Sequence, residues 1–200
     1  TSDLAGISIL NKQEYCKRHG YDLIIGSENY FDTPHWNAIY LVLENLADYE
    51  NVFWIDLDML IMNLNKPLTD FLDTEHDIFI SKDPVFEMNS GAFLAKNTYF
   101  SSDFLSKSLE FVNEHNTFPY HQATFIHLYK TFPACQAKIK IYPQNIFNAF
   151  WYVNDPNLLD LYKDWNKNFS IYKEGDFIIH FAGPAYKERQ ELMKKFYDKS

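Results

Sequence analysis

Two carboxylates stand one residue apart, Asp56 and Asp58, right after the apolar run Val52-Phe53-Trp54-Ile55. Residues two apart on an extended strand point the same way, so both acids are expected to face one spot. At the carboxyl end of a strand in an open α/β sheet, that spot is where ligands bind. Like charges so close repel unless a cation sits between them. A hard divalent ion that also grips a substrate diphosphate is the natural occupant. The bland alternative is a strand end carrying two solvated acids, and Asp-x-Asp alone does not decide between the two.

Two further patterns carry chemistry. In Ile178-Ile179-His180-Phe181-Ala182-Gly183 a histidine ends an apolar strand before a small-residue turn. With Asp56 and Asp58 it makes a candidate metal set, and an imidazole tilts such a site from Mg²⁺ toward Mn²⁺. A lone histidine is otherwise a core side chain bonded to backbone. In Met88-Asn89-Ser90-Gly91-Ala92-Phe93-Leu94, Gly91 lets backbone approach a ligand closely. Asn89 offers the donor and acceptor that sugar hydroxyls need. An Asn-Ser-Gly turn before a strand is the competing reading.

The elements that must position these residues read as α/β. Leu4, Ile7 and Leu10 open a helix that Gly20 stops. Asp22–Ile25 reads as a short buried strand, and Trp36 to Ala47 as a second helix. Val52–Ile55, apolar throughout, is expected as a central strand of a parallel sheet covered by helices. A short Pro67-led helix follows. Strands are expected at Asp77–Ser81, Gly91–Ala95, Lys138–Tyr142 and Asp176–Phe181. Helices are expected around Leu105–Val112, Gln122–Tyr129 and Ala185–Asp198. Phe147–Tyr172 reads as an irregular subdomain. The expected class is an α/β domain with a mostly parallel central sheet flanked by helices and a smaller irregular C-terminal part.

Composition bounds the function. The 200 residues carry 18 Lys and Arg against 27 Asp and Glu, a formal charge of −9, with 46% apolar residues. That excludes disorder and disfavours non-specific nucleic-acid binding, which needs cations to release counterions. Anionic membranes are disfavoured too. Cys16 and Cys135 read as structural thiols rather than a disulfide scaffold. No apolar run approaches the roughly 18 residues of a membrane span. The expected setting is soluble and cytoplasmic, or alternatively the lumenal catalytic domain of a Golgi-type enzyme without its anchor.

Taken in order, several motifs resemble one family. They are Tyr15-Cys16-x-x-His19-Gly20-Tyr21-Asp22, His35-Trp36, Phe53-Trp54-Ile55-Asp56-Leu57-Asp58 and Ser81-Lys82-Asp83. After these come Asn89-Ser90-Gly91, His121-Gln122-Ala123-Thr124-Phe125 and Gly175-Asp176-Phe177-Ile178-Ile179-His180-Phe181-Ala182-Gly183. Over roughly residues 7–185 the chain is similar to the GT34 galactosyl-, mannosyl- and xylosyltransferases. Its donor-site motifs also resemble the glycogenin-type GT8 family. The resemblance implies a GT-A fold, a UDP-sugar donor, Mn²⁺ (or Mg²⁺), a glycan acceptor and retention of configuration. It places Asp56, Asp58 and His180 as metal ligands. It places Asp83, Asn89 and Gly91 at the donor sugar, Gln122 below the anomeric carbon, and Gly183 and Lys187 at the diphosphate. Residues 1–95 would form the nucleotide-sugar half and 96–200 the acceptor half.

Departures from the family pattern sharpen the expectation. The family has Asp before the Gln where this chain has His121, and Lys where it has Ala38. Lys187, Lys82 or Arg189 would then supply the diphosphate cation. The family's opening strand has no counterpart from Thr1 onward; with such a strand upstream, Thr1 would lie in the nucleotide loop. Gln122 is a poor nucleophile, which favours same-face attack. Asp83 and Glu87 are the carboxylates for a covalent or general-base route. Two other readings compete. A haloacid-dehalogenase-like phosphatase also places Asp-x-Asp after an apolar strand, but Leu60 and His180 break its pattern. A catalytically dead carbohydrate-binding domain would use Trp36, Trp54, Trp151 or Trp165 as stacking platforms, with Trp151 and Trp165 the better placed.

Overall fold

The structure, a computed structural model, describes residues 3–26, 29–151, 170–183 and 186–199. Thr1, Trp165 and most of the expected irregular subdomain lie outside these residues. Helix α1 spans Leu4–His19, capped by the Asp3 carboxylate, which accepts from the Gly6 N–H at 2.6 Å. It closes at Gly20, whose φ of 70° is the left-handed conformation that glycine tolerates. A 3-10 turn at Pro34–Trp36 leads into α2, Asn37–Asn45. Strand β1 is Asn51–Ile55 and β2 is Met59–Ile61. A second 3-10 turn, Leu68–Phe71, precedes β3, Ile78–Ser81, and β4, Asn89–Lys96. Helices α3 (Tyr99–Glu110), α4 (His121–Thr131) and α5 (Pro133–Lys138) lead to β5, Ile139–Tyr142. Strands β6 (Ala149–Phe150) and β7 (Ile178–His180) and helix α6 (Tyr186–Tyr197) complete the described elements. No helix among the described residues is long and apolar enough to cross a membrane.

Two sheets form, in the orders β1-β4-β3-β5 and β2-β7-β6. The α/β class holds, but the pairing is mixed rather than mostly parallel. β4 runs antiparallel to both β1 and β3, and β2 antiparallel to β7; β3–β5 and β6–β7 are the parallel ladders. Strand β1, expected at the centre, is an edge strand whose residues are only half-buried. The strands buried on both faces are β3 and β4. Their side chains alternate between two cores, as the two-residue period demands. Ile78, Ile80, Phe93 and Ala95 pack with Trp36, Ile39, Phe104 and Phe125 on one side. Phe79, Ala92 and Leu94 pack with Tyr15, Phe147 and Phe177 on the other. The expected strand Asp22–Ile25 does not join either sheet, and Ile24 and Ile25 are 48% and 50% exposed. Apolar sequence alone does not make a strand; the backbone needs a ladder partner, and these residues have none among those described.

The second sheet is locked to α1 by polar side chains. Asn11 behaves like a missing strand: its Nδ2 donates to the Ile61 carbonyl at 2.8 Å and its Oδ1 accepts from the Ile61 N–H at 2.7 Å. One residue on, the Lys12 ammonium donates to the Met59 carbonyl at 3.0 Å and to the Ser8 hydroxyl. Burial pushes the Lys12 pKa down to about 7, against the opposing pull of Asp56 and Asp58. The short strand β2 lay hidden in the sequence because Met59–Ile61 is brief and follows a turn. Replacing Asn11 by Ala leaves a buried N–H and a buried C=O of Ile61 without partners. Urea unfolding of Asn11→Ala is expected to show a loss of about 3 kcal/mol.

Candidate active site

The two acids do not share a strand face. Strand β1 ends at Ile55, and the Asp56 N–H donates to the Gly91 carbonyl at 2.8 Å, keeping Asp56 against β4. The chain then turns, with the Met59 N–H on the Asp56 carbonyl, and enters the second sheet. Asp58 sits on that turn, its carbonyl accepting from the Phe181 N–H at 2.9 Å. A turn at the seam between two sheets brings the carboxylates together, not strand alternation.

Asp56 is walled in. Its Oδ1 accepts from the Trp54 indole N–H at 2.8 Å. A Cβ on Gly91 would stand 3.0 Å from its Oδ2 and 2.6 Å from Met59 Cε, so only glycine leaves this carboxylate undisturbed. Burial, reinforced by the charge of Asp58, pushes the Asp56 carboxyl well above the usual carboxylate range. Trp54 is therefore an anchor for Asp56 rather than a sugar platform. Trp36 is fully buried in the core, and Trp151 is buried with its indole N–H on the Ala182 carbonyl at 3.2 Å. Neither is placed to stack on a sugar.

Asp58 faces two partners. His180 Nε2 lies 3.5 Å from its Oδ1 and Arg189 Nη1 lies 3.0 Å from its Oδ2. Burial alone would raise its pKa, but His180 and Arg189 together hold it below the usual range. The tautomer of His180 follows from its neighbours. Asn148 Nδ2 donates to the Lys82 carbonyl at 3.1 Å, which fixes the amide orientation. Asn148 Oδ1 then accepts from His180 Nδ1 at 2.6 Å. Nε2 is thereby left facing the Asp58 carboxylate oxygen. This carbonyl-held histidine is the outer-shell pattern found behind metal-binding imidazoles. Asp56 interacts electrostatically with both Asp58 and His180. Among the described residues, no three His, Cys, Asp or Glu side chains stand in a ready metal-holding group, so the expected trio is near but not assembled.

The expected donor-sugar residues form one network beside it. Asn89 Nδ2 donates to Asp83 Oδ2 at 2.9 Å, and its Oδ1 accepts from the Gly91 N–H at 3.0 Å. Asp83 Oδ1 accepts from the Val85 and Phe86 N–H groups at 2.8 and 3.1 Å. Gln122, in the first turn of α4, accepts from the Ser90 N–H at 3.1 Å through Oε1. Tyr120, just before it, adopts a φ of 54° rare outside glycine and stacks flat on His35 at 3.9 Å. Glu87 is drawn off to Lys130 at 3.7 Å. Lys187 is exposed in the first turn of α6, and Gly183 takes a φ of 96° in the turn after His180. Thr1 lies outside the described residues. Sequence reasoning missed Asn148 and Lys12. Asn148 lay in a stretch with no readable periodicity, and Lys12 reads as an ordinary charged residue in a helix.

The comparisons with known proteins decide the family. A model for the family described as "Protein of unknown function, DUF273" matches residues 13–156. The chain belongs to the DUF273 family. This DUF273 protein is similar to a probable alpha-1,6-mannosyltransferase, MNN10, of Saccharomyces cerevisiae: 26% identical, covering 90% of this chain and 55% of the relative. It is similar to an uncharacterised alpha-1,2-galactosyltransferase of Schizosaccharomyces pombe: 26% identical, covering 88% of this chain and 55% of the relative. The chain thus spans about half the length of these curated relatives. Among solved structures it is similar to a glycosyltransferase involved in glycosylation of the major capsid of PBCV-1. That match has a TM-score of 0.67 at 21% identity, over 96% of this chain and 92% of the other. The fold is the GT-A fold, and the similarity to GT34 enzymes read from the motifs agrees with the relatives found.

His121 offers a test of this packing. It is buried, with its ring centroid 6.2 Å from that of Trp36. Burial, aided by nearby His35, lowers its pKa from 6.5 to about 4. Between those pH values the unfolded chain binds a proton that the folded chain refuses. Stability therefore falls as pH drops through that window, by about 3 kcal/mol. Urea unfolding at pH 7 and pH 4 is expected to show a smaller pH difference in His121→Phe than in the wild type.

Proposed function

We propose that this protein is a metal-dependent glycosyltransferase. It moves a sugar from a nucleotide-sugar donor, a UDP-sugar, to a glycan acceptor with retention of configuration. The observation that carries the reading is the meeting of Asp58 with the Nε2 face of His180, beside Asp56, at the seam of a GT-A fold. The names of the mannosyl- and galactosyltransferase relatives support it.

Asp56, Asp58 and His180 would hold Mn²⁺ or Mg²⁺, which when bound neutralises charge on the departing diphosphate. Every other role belongs to the chain. Asn148 keeps the Nε2 of His180 turned toward the carboxylates. Gly91 and Trp54 fix Asp56. Asn89, held between Asp83 and Gly91, presents its amide edge to the sugar. Gln122 spends its carbonyl on Ser90 and leaves its NH₂ for the sugar, so it positions the donor without attacking it. Asp83 already accepts from Val85, Phe86 and Asn89, which makes it a poor covalent nucleophile. Attack on the face the leaving group vacates, with the acceptor proton passing to the departing phosphate, needs neither. Lys187, in the first turn of α6, and Gly183 would contact the diphosphate. Residues 1–95 serve the nucleotide sugar and residues 96–200 mainly the acceptor. A haloacid-dehalogenase-like phosphatase is the weaker reading, because Leu60 and His180 stand where its pattern wants other residues.

A panel of nucleotide sugars with Mn²⁺, read as nucleotide release, is expected to show turnover of one UDP-sugar. Asp58→Asn is expected to lose about 100-fold or more of that activity. Equal release by the two proteins contradicts the assignment. Asn148→Ala, which frees the imidazole, is expected to weaken Mn²⁺ binding about 10- to 100-fold by calorimetry.

A further inference from the structure

Helix α6 sends Arg189 to the carboxylate that the proposed metal needs. Arg189 Nη1 takes Asp58 Oδ2 at 3.0 Å while His180 faces Oδ1 at 3.5 Å, so both oxygens are engaged. The ion pair is sheltered, with side-chain exposures of 26% for Arg189 and 18% for Asp58. Solvent and salt screen such a pair only partly. A divalent ion held by Asp58 and His180 would stand close to this guanidinium, and two cations repel strongly in a half-buried site. Arginine cannot escape the conflict by losing its proton. The two cations would compete for Asp58.

We propose that Arg189 is a resident cation of this site: it occupies Asp58 before the donor arrives, keeps out free divalent metal, and moves to the donor diphosphate when metal and donor bind together. This rests on the metal-dependent transferase reading given above. Two observations and one chemical argument support it. Asp56, Asp58 and His180 lie near one another yet do not form a metal-holding group, as expected when a guanidinium fixes one Asp58 oxygen elsewhere. Lys12 cannot take this role, because its ammonium is tied behind the turn to Met59 and Ser8. A diphosphate also offers paired oxygens that suit the guanidinium fork. Metal and nucleotide should therefore bind with synergy.

The test is Mn²⁺ binding, by titration calorimetry and electron paramagnetic resonance, to the whole chain with and without UDP. Circular dichroism confirms the fold of each variant. The wild type is expected to bind Mn²⁺ weakly alone and about tenfold more tightly with UDP. Arg189→Gln is expected to bind bare Mn²⁺ about tenfold more tightly than the wild type, with a smaller gain from UDP. Arg189→Lys keeps the charge and is expected to stay near the wild-type affinity for bare Mn²⁺. If Arg189→Gln binds Mn²⁺ no more tightly than the wild type while Asp58→Asn abolishes binding, the resident cation is overturned and the metal site stands. Equal tightening in the Lys and Gln variants also overturns it. If Asp58→Asn binds Mn²⁺ as well as the wild type, the metal reading itself fails.

Discussion

Two half-buried carboxylates near one another at the seam between two sheets are the constraint on which this molecule turns. Water is largely withdrawn from both, so each must find positive charge or hydrogen bonds within the protein. The neighbours divide that work unequally. Asp56 receives one indole N–H and a distant ammonium, and its proton is held more tightly than usual. Asp58 receives an imidazole and a guanidinium, and its proton is held less tightly. Asp58 thus has the nearer basic side chains of the two. That asymmetry suits a site that fills with a cation only when its anionic ligand arrives.

The fold exists in this form because of how the chain passes between its sheets. Strand β4 is buried on both sides and fixes Asp56 through Gly91, where a side chain would strike the carboxylate. Strand β2 is three residues long and could not hold its place by pairing with β7 alone. Asn11 and Lys12 of α1 supply the remaining partners, so a helix edge substitutes for a strand. Behind His180, Asn148 and Lys82 carry the same logic into the loop after β5, tying the imidazole to the end of β3. Chemistry and stability are thus coupled through a few buried polar side chains rather than through the apolar cores.

Much of this was legible in the sequence, and the failures have physical causes. The end of α1 follows from Gly20, and β4 from the apolar run around Phe93. The motifs at Asp56, Asn89, Gln122 and His180 pointed to one family, which the relatives found support. Strand β1 misled because its sequence is apolar throughout, which sequence cannot distinguish from true centrality in a sheet. Asp22–Ile25 misled for the same reason: pairing partners are a tertiary fact. The Asp-x-Asp spacing implied a shared strand face, but the strand ends at Ile55 and Asp58 stands on the turn that follows. Arg189 was legible as a candidate diphosphate cation, but its pairing with Asp58 was not. Its partner is 131 positions away in the chain, and no local pattern reports that distance.

The most direct test of the central claim is a crystal of the whole chain grown with Mn²⁺ and UDP, measured at the manganese absorption edge. The account predicts one strong anomalous peak bounded by Asp56, Asp58 and His180 Nε2, with the Arg189 guanidinium withdrawn from Asp58. A peak elsewhere, or a density map in which Arg189 still holds Asp58 beside bound UDP, would contradict it.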